Sequence, residues 1–119
     1  MEKTIVIGET PVRFKASAAT VRRYRETFQR DLLKDMTAVI EAAGNNQMTG
    51  AELETFENFA YLCAKAADPE SVPASPDEWL DNFEMISIYE ILPQLVDLWI
   101  TGQKTLETPK KKQDRRSGN

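Results

Sequence analysis

Apolar positions follow two rhythms along this chain, and the change between them falls near Ser17. Before it, Thr4-Ile5-Val6-Ile7 and Val12-Arg13-Phe14-Lys15-Ala16 flank the turn-forming run Gly8-Glu9-Thr10-Pro11. The first run is β-branched; the second alternates, with Val12, Phe14 and Ala16 on one side and Arg13 and Lys15 on the other. That pattern predicts a β-hairpin over residues 3–16. Two strands alone are marginal in water, so the hairpin must lie on helices.

After Ser17 the apolar residues recur at steps of three and four. Val21, Tyr24, Phe28, Leu32, Met36, Val39, Ile40 and Ala43 form one broad stripe, with Arg22, Arg23, Glu26, Arg30 and Lys34 largely off it. The spacing predicts a single helix over 18–43, stopped by Gly44-Asn45-Asn46. Thr49-Gly50-Ala51-Glu52 has the form of a capping box and opens a helix over 50–67. Its face of Ala60, Cys63, Ala64 and Ala67 is small, so a neighbour can approach closely. Asp68-Pro69 ends it, because a residue before proline is pushed out of the α region.

Residues 68–76 read as a proline-punctuated linker. Ser75-Pro76-Asp77-Glu78 then starts a helix over 76–84, with Ser75 as cap and Pro76 at the first position, where its missing N–H is no loss. Ser87-Ile88-Tyr89-Glu90 repeats the cap-and-acid register and predicts a last helix over 88–101, apolar nearly all round. Pro93 within it implies either a kink or the helix's true beginning. Past Gly102 the sequence turns polar and charged, which predicts a disordered basic tail over 103–119. The expected fold is α+β and mostly α: one domain over 1–102, a hairpin packed on a bundle of about four helices.

Composition mainly excludes. The 119 residues hold 41% hydrophobic and 29% charged positions, no histidine and one cysteine, with a net charge of -4. Without histidine there is no Ser-His-Asp or Cys-His pair and no zinc site of the usual ligand sets, and a lone cysteine forms no internal disulfide. No run of 18 apolar residues spans a membrane, and Met1-Glu2-Lys3-Thr4-Ile5 begins no signal peptide, so a cytoplasmic protein is expected. The mild net charge conceals a division. Residues 1–34 carry eight basic and four acidic groups, residues 35–102 carry Lys65 alone against thirteen acids, and residues 103–119 carry six basic and two acidic groups. Such a chain can pair head to middle, within one molecule or between copies as a homo-oligomer.

Each candidate for chemistry has a plainer role. Cys63 lies on an apolar stripe with no base to activate it and reads as a small buried hydrophobe. Asp77, Glu78, Asp81 and Glu84 have the composition of a metal cluster, but acids belong in a first helical turn and the rest form a solvated face. Gly8 and Gly50 stand alone and make no phosphate loop. The basic tail lacks interleaved aromatics and hangs on an acidic body, which argues against specific nucleic-acid binding. No enzyme and no cofactor emerge. Trp79, Tyr89 and Trp99 are core aromatics first, with a partner anchor as the alternative.

Three segments together resemble a family. They are Arg13-Phe14-Lys15-Ala16-Ser17-Ala18-Ala19 leading into Tyr24-Arg25; Phe56-Glu57-Asn58-Phe59-Ala60-Tyr61 with Ala64-Lys65 and Ala67-Asp68-Pro69; and Ser75 to Glu84 running into Ser87 to Gln94 and Leu98-Trp99. The chain is similar to the tail assembly chaperones of long-tailed phages and prophages of Gram-positive bacteria. The likeness covers nearly all of residues 3–100, and the third segment is its most specific part. Two features depart from the pattern: the short connection from Asn45 to Met48, and the tail after Gly102.

The resemblance implies a non-catalytic protein of the host cytoplasm, absent from the finished virion. Family members hold the tape-measure protein, a long aggregation-prone helical rod, and help recruit tail-tube subunits. Many also exist in a longer frameshifted form, and the run Lys110-Lys111-Lys112 is compatible with a slippery A-rich stretch. On this reading the partner-binding anchors are Trp79, Tyr89, Leu92, Leu95 and Trp99. The rival readings are a head–tail connector type of morphogenesis adaptor and a small nucleic-acid-binding regulator.

Overall fold

The computed structural model describes residues 1–102. Strands β1 (Glu2–Ile7) and β2 (Thr10–Lys15) pair antiparallel, with Ile5 opposite Val12 and Lys3 opposite Phe14. Helices α1 (Ala18–Phe28), α2 (Leu32–Gly44), α3 (Gly50–Ala67), α4 (Pro76–Leu80) and α5 (Ser87–Glu90) follow. A sixth helix, α6, occupies residues 92–102. The fold is therefore α+β and mostly α, as the patterning predicts.

The hairpin's inner face carries Ile5, Ile7 and Phe14, all buried, while Arg13 and Lys15 are exposed. Gly8 turns the chain with φ 63°, a left-handed conformation that glycine adopts without a Cβ penalty. A Cβ there would also sit 3.3 Å from Ser87 Oγ, so the turn rests against the start of α5. Across β2 lies α3, the central element. Its small buried face of Ala60, Cys63 and Ala64 allows close approach, and Arg13 Nη2 donates to the Ala67 carbonyl at 3.0 Å, fastening strand to helix end.

The single helix expected over 18–43 is two. Gln29 takes a left-handed conformation (φ 54°) and its N–H closes α1 on the Arg25 carbonyl. Asp31 then caps α2, its carboxylate accepting from the backbone N–H of Leu33 and Lys34. The apolar stripe runs unbroken through this corner because both helices face the same core, and periodicity registers a face rather than an axis.

Two further boundaries differ from expectation. Helix α4 stops at Leu80 instead of reaching 84, because Asn82 Nδ2 bonds the carbonyls of Glu78 and Trp79 and ties off its end. Ser87 does not cap: it is the first residue of α5, follows Ile86, and leaves the helix with no side-chain cap. Of the two roles open to Pro93, the structure takes the second: it sits in the first turn of α6, where its absent N–H has no intrahelical partner to lose. The proposed disordered tail, 103–119, lies outside the described residues.

Loop 68–75 is held from α3. Lys65 Nζ donates to the carbonyls of Pro69 (3.0 Å) and Val72 (2.7 Å), and Tyr61 Oη to that of Pro73 (2.9 Å). Among the described residues no buried side-chain polar atom lacks a partner.

Candidate interaction surface

Trp79, on the short helix α4, points inward. Its ring meets Phe83 at 5.2 Å, Tyr61 at 6.1 Å and Phe14 at 6.4 Å, so it joins hairpin, α3 and α4. Leu95 and Trp99 on α6 are buried as well, Trp99 edge-on to Phe59 at 5.5 Å. These three of the five residues expected to anchor a partner belong to the core. Leu92 is half-buried, and Tyr89 alone of the five is exposed.

The exposed apolar surface gathers elsewhere, at the turn from α4 into α5. Met85 is 84% exposed, Ile86 61% and Tyr89 37%. Scattered single apolar residues are normal on a protein surface; contiguous ones mark interaction sites. Met85 and Tyr89 line an open depression of about 350 Å³ together with Leu80, Asp81, Phe83, Glu84 and Ile88, and Ile86 is next to Met85 in the chain.

Tyr89 is held upright. Its hydroxyl donates to Glu57 Oε2 at 2.6 Å and its ring tilts over Phe56 at 6.3 Å, so α3 fixes the position of α5. The bond to the Glu57 carboxylate, with some burial, raises the phenol above its ordinary pKa. The sequence reading missed Met85 and Ile86. Their one signal is two consecutive apolar residues after an acid, off the stripe of any helix.

A second depression, about 440 Å³, lies at the α1–α2 corner among Val21, Arg25, Gln29, Arg30 and Leu33. Its most distinctive group is already engaged. Arg30 makes a fork onto Asp35, Nε to Oδ2 at 2.7 Å and Nη2 to Oδ1 at 2.9 Å, and Tyr24 Oη adds a third bond at 2.8 Å. The Arg30 hydrogen bonds hold the Asp35 carboxyl below its usual range. Burial, assisted by that carboxylate, pushes the Tyr24 phenol up to about 12.

Cys63 is fully buried, and burial pushes its thiol up, away from the thiolate form that reacts. Asp77, Glu78, Asp81 and Glu84 are all exposed, Glu78 taken up in the Ser75 cap. Among the described residues no group of three or more His, Cys, Asp or Glu is arranged to hold a metal ion, and no helix is long and apolar enough to cross a membrane. No protein family, curated protein or solved structure matches the chain.

Proposed function

We propose that this protein is a non-catalytic tail assembly chaperone, which holds a phage tape-measure protein and helps recruit tail-tube subunits. The observation that carries the reading is the exposed cluster of Met85, Ile86 and Tyr89. Tyr89 belongs to the segment of Ser75 to Glu84, Ser87 to Gln94 and Leu98-Trp99 in which the sequence resembles such chaperones most specifically, and Met85 and Ile86 lie between its first two parts. A protein that keeps an apolar rod from aggregating needs apolar surface available in its folded state, and this cluster supplies it. Methionine suits such a surface, because its flexible, polarisable side chain adapts to varied partners.

The test is co-expression with a tape-measure protein, a very long helical chain sought among the genes neighbouring this one. The chain is expected to carry that protein into the soluble fraction and to co-purify with it. A tape-measure protein that stays insoluble would sink the reading, and ring-shaped assemblies of this chain alone would favour a connector instead.

A further inference from the structure

The cluster at the α4–α5 turn has a chemical character that narrows what can occupy it. Met85 and Ile86 project to solvent, and Tyr89 lies about one helical turn beyond them, beside the depression that it helps to line. The lining is mixed, with Leu80, Phe83, Met85 and Ile88 apolar and Asp81 and Glu84 carboxylates. An amphipathic helix, its backbone groups already paired, can lay an apolar stripe on the exposed side chains while turning charged ones to the carboxylates.

Among the described residues, the charged groups that line the depression or bond to Tyr89 are acidic. Asp81 and Glu84 border the depression, Glu57 is bonded to Tyr89, and Glu90 follows it, exposed. Between residues 66 and 102 the chain has no lysine or arginine. Lys65, the nearest cation before the cluster in sequence, is occupied by the Pro69 and Val72 carbonyls, and the nearest after it, Lys104, lies outside the described residues. Apolar side chains set beside carboxylates complement an apolar stripe bordered by cations, and repel one bordered by anions.

We infer that the α4–α5 turn is a docking surface for an amphipathic helix whose apolar stripe is flanked by lysine or arginine. This specifies the partner segment that the proposed chaperone would grip, and it rests on that reading only for the partner's identity. The partner helix lays residues spaced i, i+3/i+4 and i+7 over Met85, Ile86 and Tyr89, while its cations face Asp81 and Glu84. The apolar contacts carry the affinity. The carboxylates select the partner and set its orientation.

The test uses the full chain and two synthetic helical peptides of about 18 residues, five turns. Both carry the same leucine stripe; lysines flank it in one and glutamates in the other. Fluorescence anisotropy at low salt is expected to show the lysine peptide binding about tenfold tighter or more. Met85→Ser with Ile86→Ser should weaken it by a further factor of about ten, with the thermal unfolding midpoint preserved because both side chains are exposed. Asp81→Asn with Glu84→Gln should narrow the gap between the peptides and leave binding to the leucine stripe.

Equal affinity for the two peptides overturns the proposal, as does unchanged binding by the Met85/Ile86 variant. So does the outcome in which neither peptide binds and that variant converts an oligomer to a monomer, because the face would then be covered by a second copy. Failure to solubilise the tape-measure protein, with lysine-peptide binding intact, removes the chaperone reading and leaves the surface standing. Solubilisation that survives Met85→Ser with Ile86→Ser does the reverse.

Discussion

Asp35 is a buried carboxylate with both oxygens in use: Oδ1 accepts from Arg30, and Oδ2 from Arg30 and Tyr24. Removing one partner of such bonds is costly where the group left behind is buried, as Tyr24 is, because it has given up water and then loses the bond that replaced it. Asp35→Ala strands the Tyr24 hydroxyl and is expected to lower stability by about 2–3 kcal/mol in urea unfolding. The pH dependence has a definite sign. Arg30 and Tyr24 hold the folded Asp35 below its unfolded value, so its contribution is complete above about pH 4 and drains as pH falls through the folded value. The stability gap between wild type and Asp35→Asn should therefore narrow below about pH 4 and stay level above pH 6 or so. A gap that widens in acid would show that Asp35 is not the ionised partner.

The α1–α2 corner that this carboxylate secures also marks where the sequence stopped being informative. Hairpin, α3 and the α6 stripe were readable because each has a local cause: alternation with turn residues, the Thr49–Glu52 cap, and an apolar run after Pro93. The break at Gln29 has no such trace. Asp31 is a good cap residue, but it sits inside a stripe that is continuous in spacing, so periodicity joins two helices into one. The same limit applies to the anchors. Trp79, Leu95 and Trp99 advertise large apolar area, but composition cannot say whether the core or a partner covers it; the hairpin's Phe14 and α3's Phe59 decide that, from far away in sequence. Gln29 makes the corner testable as an element. A side chain in the left-handed region costs about 1 kcal/mol that glycine avoids, and the Gln29 amide's bond to the Glu26 carbonyl is exposed and contributes little. Gln29→Gly should raise stability by about 0.5–1 kcal/mol by chemical denaturation. A loss of more than that range would mean the glutamine side chain, not the backbone, builds the corner.

Across the whole molecule, the charge pattern is resolved less by pairing than by exposure. Among the described residues the acidic middle meets the basic N-terminal segment in two ion pairs: the corner pair Arg30–Asp35, and Lys3–Asp97 at 3.7 Å, which ties β1 to α6. Glu41, Glu54, Glu70, Asp77, Asp81, Glu84 and Glu90 are exposed with no ion pair among the described residues. Seven like charges on one small domain repel, and compaction brings them closer than the unfolded chain does. Opposing this, the exposed Lys3–Asp97 pair is worth little, and salt weakens it too. Repulsion should dominate the balance. Raising sodium chloride from about 10 mM to about 150 mM shortens the screening length from about 30 Å to about 8 Å, and the thermal midpoint is expected to rise by about 2–6 °C. Replacing two of the repelling charges, Glu41→Gln with Glu70→Gln, should raise the low-salt midpoint and shrink the salt increment together. A midpoint that falls with salt would mean that the few ion pairs outweigh the repulsion, and that the acidic surface bordering Met85 and Ile86 is less free to meet a cationic partner than its exposure implies.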